Sequence, residues 1–332
     1  MFELVIRFLF YALLIVVAGI KLSKYGDLIA EKSGLDQALI GGILIATVTA
    51  LPEVVTSSTA ATINAPDIAI GNLYGSNTFN MMILALADLI QGPGPFLLHI
   101  QLKHILAALI GILLSTLGAL FILINYFLST NFTFLGLGLG SIAILFTYII
   151  GERLIFRYQK KNQTQQKTLT KKMVPLKVFL KFLLVAAIIV IAGINLSRLG
   201  DQLALATGVD RAFVGTILIA AATSLPEMVT VIGAVRINAY DMAAGNIIGS
   251  NIFNMVIIVL VDLFYTSSPV LANVTLEHII TALIGLVLST ILVIGLFYRS
   301  QKSFLNVGWD SAAIITVYLL GAYLLFRLGI NF

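Results

Sequence analysis

Apolar residues run in stretches along most of this chain, separated by short polar breaks. A stretch of about 20 apolar residues, coiled as a helix, matches the hydrocarbon thickness of a bilayer. The pattern predicts membrane spans near 4–22, 37–62, 67–90, 103–126, 133–151, 176–196, 211–236, 241–265, 278–297 and 310–328. No small-residue cleavage site follows the first window, and the chain goes straight into another apolar segment. It therefore reads as a span rather than a signal peptide. The expected fold class is an all-α membrane protein of ten transmembrane helices, five on each side of one long polar segment.

The polar positions inside these runs recur at a fixed interval. Glu53 and Glu227 are 227 − 53 = 174 residues apart. The same offset relates Asp27 to Asp201, Asp67 to Asp241, Asn77 to Asn251, Asp88 to Asp262 and His104 to His278. Between 41–90 and 215–264, 29 of 50 positions are identical, which marks an internal repeat. Residues 1–151 and 176–332 are expected to be the two halves, joined by a linker over 152–175. Five spans per half is an odd number, so the second copy should enter the membrane from the opposite side. Inverted repeats of this kind build many secondary transporters.

Composition strengthens the membrane reading. The chain has 332 residues, 59% hydrophobic and 11% charged, with a mean hydropathy of +1.05. Soluble proteins carry about a quarter charged residues. There are no cysteines, so disulfides, thiolate metal sites and cysteine nucleophiles are excluded. Three scattered histidines do not suit a zinc site. The net charge of +5 does not point to nucleic acid, because the basic residues gather in one segment from Arg153 to Lys172. That segment reads as a solvated cytoplasmic loop. With both termini outside, the inner loops also hold Lys21, Lys24, Lys32, Lys103, Arg236, Arg299 and Lys302. The outer side holds only Arg7, Arg198, Arg211 and Arg327. A multi-pass protein of the cell membrane, oriented in this way, is expected.

The chemistry concentrates in two paired motifs. "VTALPE" (48–53) and "ATSLPE" (222–227) each set a proline and a glutamate inside an apolar run. A proline lacks an N–H, and its ring clashes with the carbonyl four residues back. For Pro52 that carbonyl belongs to Val48, and for Pro226 to Ala222. Thr49 and Thr223 are expected in the same distorted turns. Such breaks are tolerated in a membrane only when buried in protein or lining a wet cavity. Buried Glu53 and Glu227 would repel each other at the repeat interface, and a divalent cation between them would cancel the charge. Two bidentate carboxylates and two threonine carbonyls would supply the six or so oxygens that calcium takes.

"GNLYGSNTFN" (71–80) and "GNIIGSNIFN" (245–254) form the second pair. Gly71 and Gly75, like Gly245 and Gly249, would let another backbone come close. Asn72, Ser76 and Asn80, and likewise Asn246, Ser250 and Asn254, share one helix side. Asn72, Asn77 and their counterparts suit interhelical packing as well as ion contact. Asp67 and Asp241 are expected to cap their own helices, Asp27 and Asp201 to lie in turns, and Asp88 and Asp262 to pair with headgroups or loops. His104 and His278 read as interfacial.

These motifs resemble the two alpha repeats of the cation/Ca2+ exchanger superfamily, above all its prokaryotic sodium/calcium exchanger branch. The similarity covers essentially the whole chain. It implies a non-enzymatic antiporter whose partners are inorganic cations and the bilayer, with no cofactor and no nucleic acid. It also implies a central calcium site of Glu53, Glu227 and the carbonyls of Thr49 and Thr223. Flanking sodium sites would use the carbonyls of Ala46 and Ala220 and the hydroxyls of Ser76, Ser250 and Ser224. Asn80 and Asn254 would sit beside the centre, and the first and sixth spans would slide to alternate access. Two departures stand out: Ala50 replaces a serine kept in the second repeat as Ser224, and position 254 is Asn where some members have Asp. The first leaves proton coupling open as an alternative to sodium. The second argues against potassium co-transport. An intramembrane acid protease and a passive channel are the competing classes. The first fits glutamates beside prolines poorly, and the second would show flux without a counter-ion.

Overall fold

Apolar runs that contain no helix breaker coil without interruption, and the longest helices follow from this. The structure, a computed structural model, describes residues 2–33, 49–92, 94–128, 132–162, 175–301, 303–304 and 307–331. Its helices are α1 (Phe2–Ser33), α2 (Leu51–Thr62), α3 (Pro66–Gln91), α4 (His104–Leu128), α5 (Leu139–Asn162), α6 (Leu176–Thr207), α7 (Ala220–Arg236), α8 (Tyr240–Phe264), α9 (Glu277–Tyr298) and α10 (Trp309–Asn331). A helical turn at Arg211–Phe213 and a π-turn at Val214–Ile219 lead into α7. Among the described residues, eight helices are long and apolar enough to cross a membrane. Helix α3 is also long, at 26 residues, but its Asn- and Gly-rich motif lowers its hydropathy. Residues 37–48 of the predicted second span lie outside the described residues.

Several boundaries differ from the sequence reading. Helices α1 and α6 run past 22 and 196 to Ser33 and Thr207, so Asp27 and Asp201 lie in helix and not in turns. Gly208, at φ 70°, ends α6 in the left-handed conformation that glycine adopts without strain. Residues 133–138 form a hairpin, β1 (Thr133–Phe134) against β2 (Leu137–Gly138), in place of the start of a span. A matching pair, β3 (Ser303–Phe304) and β4 (Val307–Gly308), precedes α10. Helix α5 continues to Asn162, into the expected linker.

Helices α3 and α8 form the centre. They pack on each other, on α2 and α7, and on α9 and α4. In α8, 67% of the most apolar stretch is buried, against 22% in α5, α6 and α10. Helix α5 packs on α4 and α8, while α10 packs on α9 and α3, so each half closes over the central helix of the other. Helices α1 and α6 lie along each other at the side, with their own small cluster of Ala18, Leu22, Val185 and Ile189. Large apolar side chains such as Leu13, Phe127, Phe146 and Ile191 are exposed, as suits a surface solvated by lipid.

Polar side chains bind the halves crosswise. Asp67 accepts the Thr275 N–H at 2.8 Å and meets His278 Nε2 at 3.0 Å. Asp241 accepts the Gln101 N–H at 2.9 Å and meets His104 Nε2 at 3.1 Å. These aspartates therefore serve the entry to a helix of the opposite half. Their own helices begin after Ala65 and Ala239, with no side-chain cap. Asp88 accepts the N–H of Phe96 at 2.6 Å and of Gly308 at 2.7 Å. Asp262 does the same for Val270 at 2.6 Å and Gly138 at 2.7 Å. Both are loop partners, as one of the two sequence readings had it.

Candidate cation site

The approach of two backbones builds the floor of the site. A Cβ added to Gly75 would lie 2.2 Å from the Thr216 carbonyl oxygen, and one on Gly71 would lie 3.0 Å from that of Ala212. No side chain fits between α3 and the π-turn. The glycine spacing in "GNLYGSNTFN" thus does the work expected of it, and draws α7 against α3.

Glu53 lies in the first turn of α2, directly after Pro52. The chain turns at Ala50, and the Val54 N–H closes on the Ala50 carbonyl at 3.1 Å. In the other half, α7 runs through Pro226 without ending, contrary to the expected break. Pro226 costs α7 the single N–H that would reach Ala222, and the irregular turn sits upstream, at Val214–Ile219. The carbonyl of Thr223 is therefore inside a continuous helix. The threonine one turn beyond each proline donates to the proline carbonyl: Thr56 at 2.7 Å and Thr230 at 3.0 Å. Ala220, at the start of α7, has a carbonyl oxygen 3.3 Å from the Thr223 hydroxyl. Ala46 lies outside the described residues.

Both glutamates are 1% exposed. They lie close enough for their charges to interact, and among the described residues neither has a cationic partner. Their hydroxyl neighbours differ. Ser224, from the opposite half, donates to Glu53 Oε1 at 3.1 Å, and Ser76 donates to the same oxygen at 3.4 Å. Ala50 is the counterpart of Ser224 and has no hydroxyl to donate. Neither Glu227 oxygen accepts a well-formed hydrogen bond, although the Thr49 hydroxyl lies near that carboxylate, and Glu53 Oε2 and Ser250 Oγ have no partner.

The asparagines divide into two groups. Asn72 is fully engaged: its amide N–H groups go to Thr56 and Ser57, each at 2.9 Å, and its Oδ1 accepts from Thr223 at 3.1 Å. Asn246 accepts from Thr49 at 3.4 Å, but its Nδ2 is unpartnered; Val231 stands where the first half has Ser57. Asn77 and Asn251 bond to each other's backbone across α3 and α8. Asn80 and Asn254, each 1% exposed, keep their Oδ1 atoms free of any hydrogen bond. Asn80 lies one helical turn from Ser76, as Asn254 does from Ser250.

Among the described residues of the four motifs, six buried oxygens thus accept no hydrogen bond: Glu53 Oε2, both Glu227 oxygens, Asn80 Oδ1, Asn254 Oδ1 and Ser250 Oγ. Leaving a buried polar atom unsatisfied costs about 1–3 kcal/mol, and more if it is charged. Apart from Asn246 Nδ2, the unpartnered motif atoms are all oxygens, with two carboxylates among them, and such donors suit a hard cation. No cluster of three Asp, Glu, His or Cys residues occurs among the described residues, so the remaining donors must be neutral. Nothing in the sequence pairs Asp67 with His278 or Asp241 with His104 across the halves. Their shared offset of 174 was the available signal, but it marks equivalence and not contact.

The family model for sodium/calcium exchanger proteins matches residues 3–152 and 177–329. The chain is 30% identical over 256 residues to the inner membrane protein YrbG of Escherichia coli, covering 74% of this chain and 75% of that one. It is 29% identical over 237 residues to the putative antiporter CaxA of Alkalimonas amylolytica, covering 68% and 70%. The fold matches the sodium-calcium exchanger NCX_Mj, solved after soaking with Na+ and Sr2+, at a TM-score of 0.63 and 23% identity, over 97% of this chain and 99% of that one.

Proposed function

Since this chain belongs to the sodium/calcium exchanger protein family, we propose that it is a secondary antiporter exchanging Ca2+ for Na+, both ions competing for Glu53 and Glu227. The observation that carries this reading is that Glu53, Glu227, Asn80 and Asn254 are all buried and each keeps an oxygen that accepts no hydrogen bond. Removing two carboxylates from water costs several kcal/mol per ion, and among the described residues no opposite charge offsets it. A bound cation would. Calcium would take the two carboxylates, Asn80, Asn254 and the carbonyls of Thr49 and Thr223. Sodium would take smaller sets built on the same carboxylates, with Ser76, Ser250, Ser224 and the carbonyls of Ala46 and Ala220. An ion-free carrier, with two uncompensated buried charges, would not reorient readily, and exchange follows from that.

The same reading includes ten spans in two inverted five-helix repeats, divided at 151 and 176. The reciprocal bonds between equivalent residues support it. So does the heavy basic excess assigned to the inner loops, which sets the termini outside the cell membrane. Glu227→Gln is expected to abolish calcium uptake into proteoliposomes while the protein remains folded. Wild-type uptake by that variant would sink the proposal.

A second reading has a specific observation behind it. Glu227 lacks the hydroxyl that Ser224 supplies to Glu53, and a proton needs no further ligand than a carboxylate. In that case the counter-ion is H+. Calcium uptake would then follow an imposed pH gradient and ignore sodium.

A further inference from the structure

We infer that Asn77 and Asn251 are positioning residues that dictate which end of the Asn80 and Asn254 amides faces the transported cation. This rests on the reading of Asn80 and Asn254 as ligands. An amide has an oxygen that attracts a cation and an NH2 that repels it, and the two ends are nearly the same shape. Something must hold the oxygen inward.

Four hydrogen bonds across α3 and α8 do so. Asn77 Nδ2 donates to the Asn251 backbone carbonyl at 3.3 Å, and Asn251 Nδ2 donates to the Asn77 carbonyl at 3.2 Å. A backbone carbonyl only accepts, so the end of each side chain facing it must be NH2. Each Oδ1 is thereby turned to the other side. There, Asn77 Oδ1 accepts from Asn254 Nδ2 at 3.0 Å, and Asn251 Oδ1 accepts from Asn80 Nδ2 at 2.8 Å. The nitrogens of Asn80 and Asn254 are thus committed, and their oxygens point away, buried and unpartnered. Flipping Asn80 would set two amide oxygens against each other and turn its NH2 inward. The orientation descends from the backbone in two steps, with all four side chains at least nine-tenths buried.

A carboxylate has no nitrogen end and needs no such guidance. This supplies the test, made with the full-length protein in proteoliposomes with radioactive calcium, alongside thermal melts in detergent. Asn251→Leu is expected to raise the half-saturating calcium concentration about tenfold or more, with maximal rate little changed. Asn80→Asp alone places a carboxylate against Asn251 Oδ1 and should melt lower than the double variant. Asn80→Asp/Asn251→Leu should bind calcium no more weakly than wild type. A residue that merely packs two helices would show no such rescue.

Three results overturn the inference. One is a wild-type calcium requirement in Asn251→Leu while Asn80→Ala weakens binding, which leaves the site itself standing. Another is a double variant as weak as Asn251→Leu. The third is an Asn80→Ala variant that binds calcium normally, which removes Asn80 from the site altogether. If Asn251→Leu cannot be purified, the stability order of Asn80→Asp and the double variant decides the question: the double must melt higher.

Discussion

At position 50 the first half carries a methyl group where the second half carries the Ser224 hydroxyl. Because Ser224 donates across the halves to Glu53, the partner lost through Ala50 belongs to Glu227 and not to its own neighbour Glu53. The substitution was legible in the repeat, but the carboxylate that suffers from it was not, since a one-dimensional alignment does not show that the donors cross over. Ala50→Ser should return a ligand to the Glu227 side. Sodium should then compete with calcium severalfold more strongly, read as the sodium concentration that halves calcium uptake. An unchanged value would mean that the missing hydroxyl has no part in sodium binding. The charged residues show the same limit. The sequence marks Asp67 and His278 only separately, as a cap and an interfacial residue. Only the fold brings them to 3.0 Å.

At the scale of elements, the crossing of α3 over the π-turn is the tightest joint in the site. Gly75→Ala would press a methyl group onto the Thr216 carbonyl, 2.2 Å away. Overpacking of this kind typically costs about 1–3 kcal/mol. A marked fall in melting temperature is expected, together with loss of calcium uptake, as α7 is pushed from α3. Gly233→Ala is the control: it lies on the exposed side of α7, and nothing stands within 4 Å of the added atom. That change should leave the protein as stable or raise stability by up to about 1 kcal/mol through helix propensity. Equal melting temperatures for the two variants would contradict this account of the joint. Glycine spacing made the close approach legible. The π-turn was not, because its residues, "VGTILI", read as ordinary helix. Nor was the continuity of α7 through Pro226, which depends on the turns to either side holding while one N–H is lost.

For the whole molecule, the repeat at 174 gave the correspondence of parts, and the structure adds that corresponding parts exchange partners. Asp88 and Asp262 are the clearest case. Each ties the end of a central helix to a following loop and to the hairpin that precedes the last helix of the other half. Asp88→Ala leaves two backbone N–H groups without an acceptor, at a cost of about 2 kcal/mol or more. Asp262→Ala should cost about the same, and thermal melts of the pair check it. A loss in one variant alone would mean that the two joints are not equivalent. The span pattern anticipated most helices to within a few residues. It missed the hairpin at 133–138, where Gly136 (φ 79°) and Leu135 (φ 54°) turn a hydrophobic run back on itself.

The central claim is that calcium and a counter-ion share one pair of carboxylates. Uptake of radioactive calcium into proteoliposomes loaded with sodium or with potassium, at equal pH on both sides, tests it most directly. Uptake should require the outward sodium gradient and disappear in Glu227→Gln. Uptake that is the same whichever ion is inside, and that persists in the variant, would contradict it and leave a passive path through the membrane in its place.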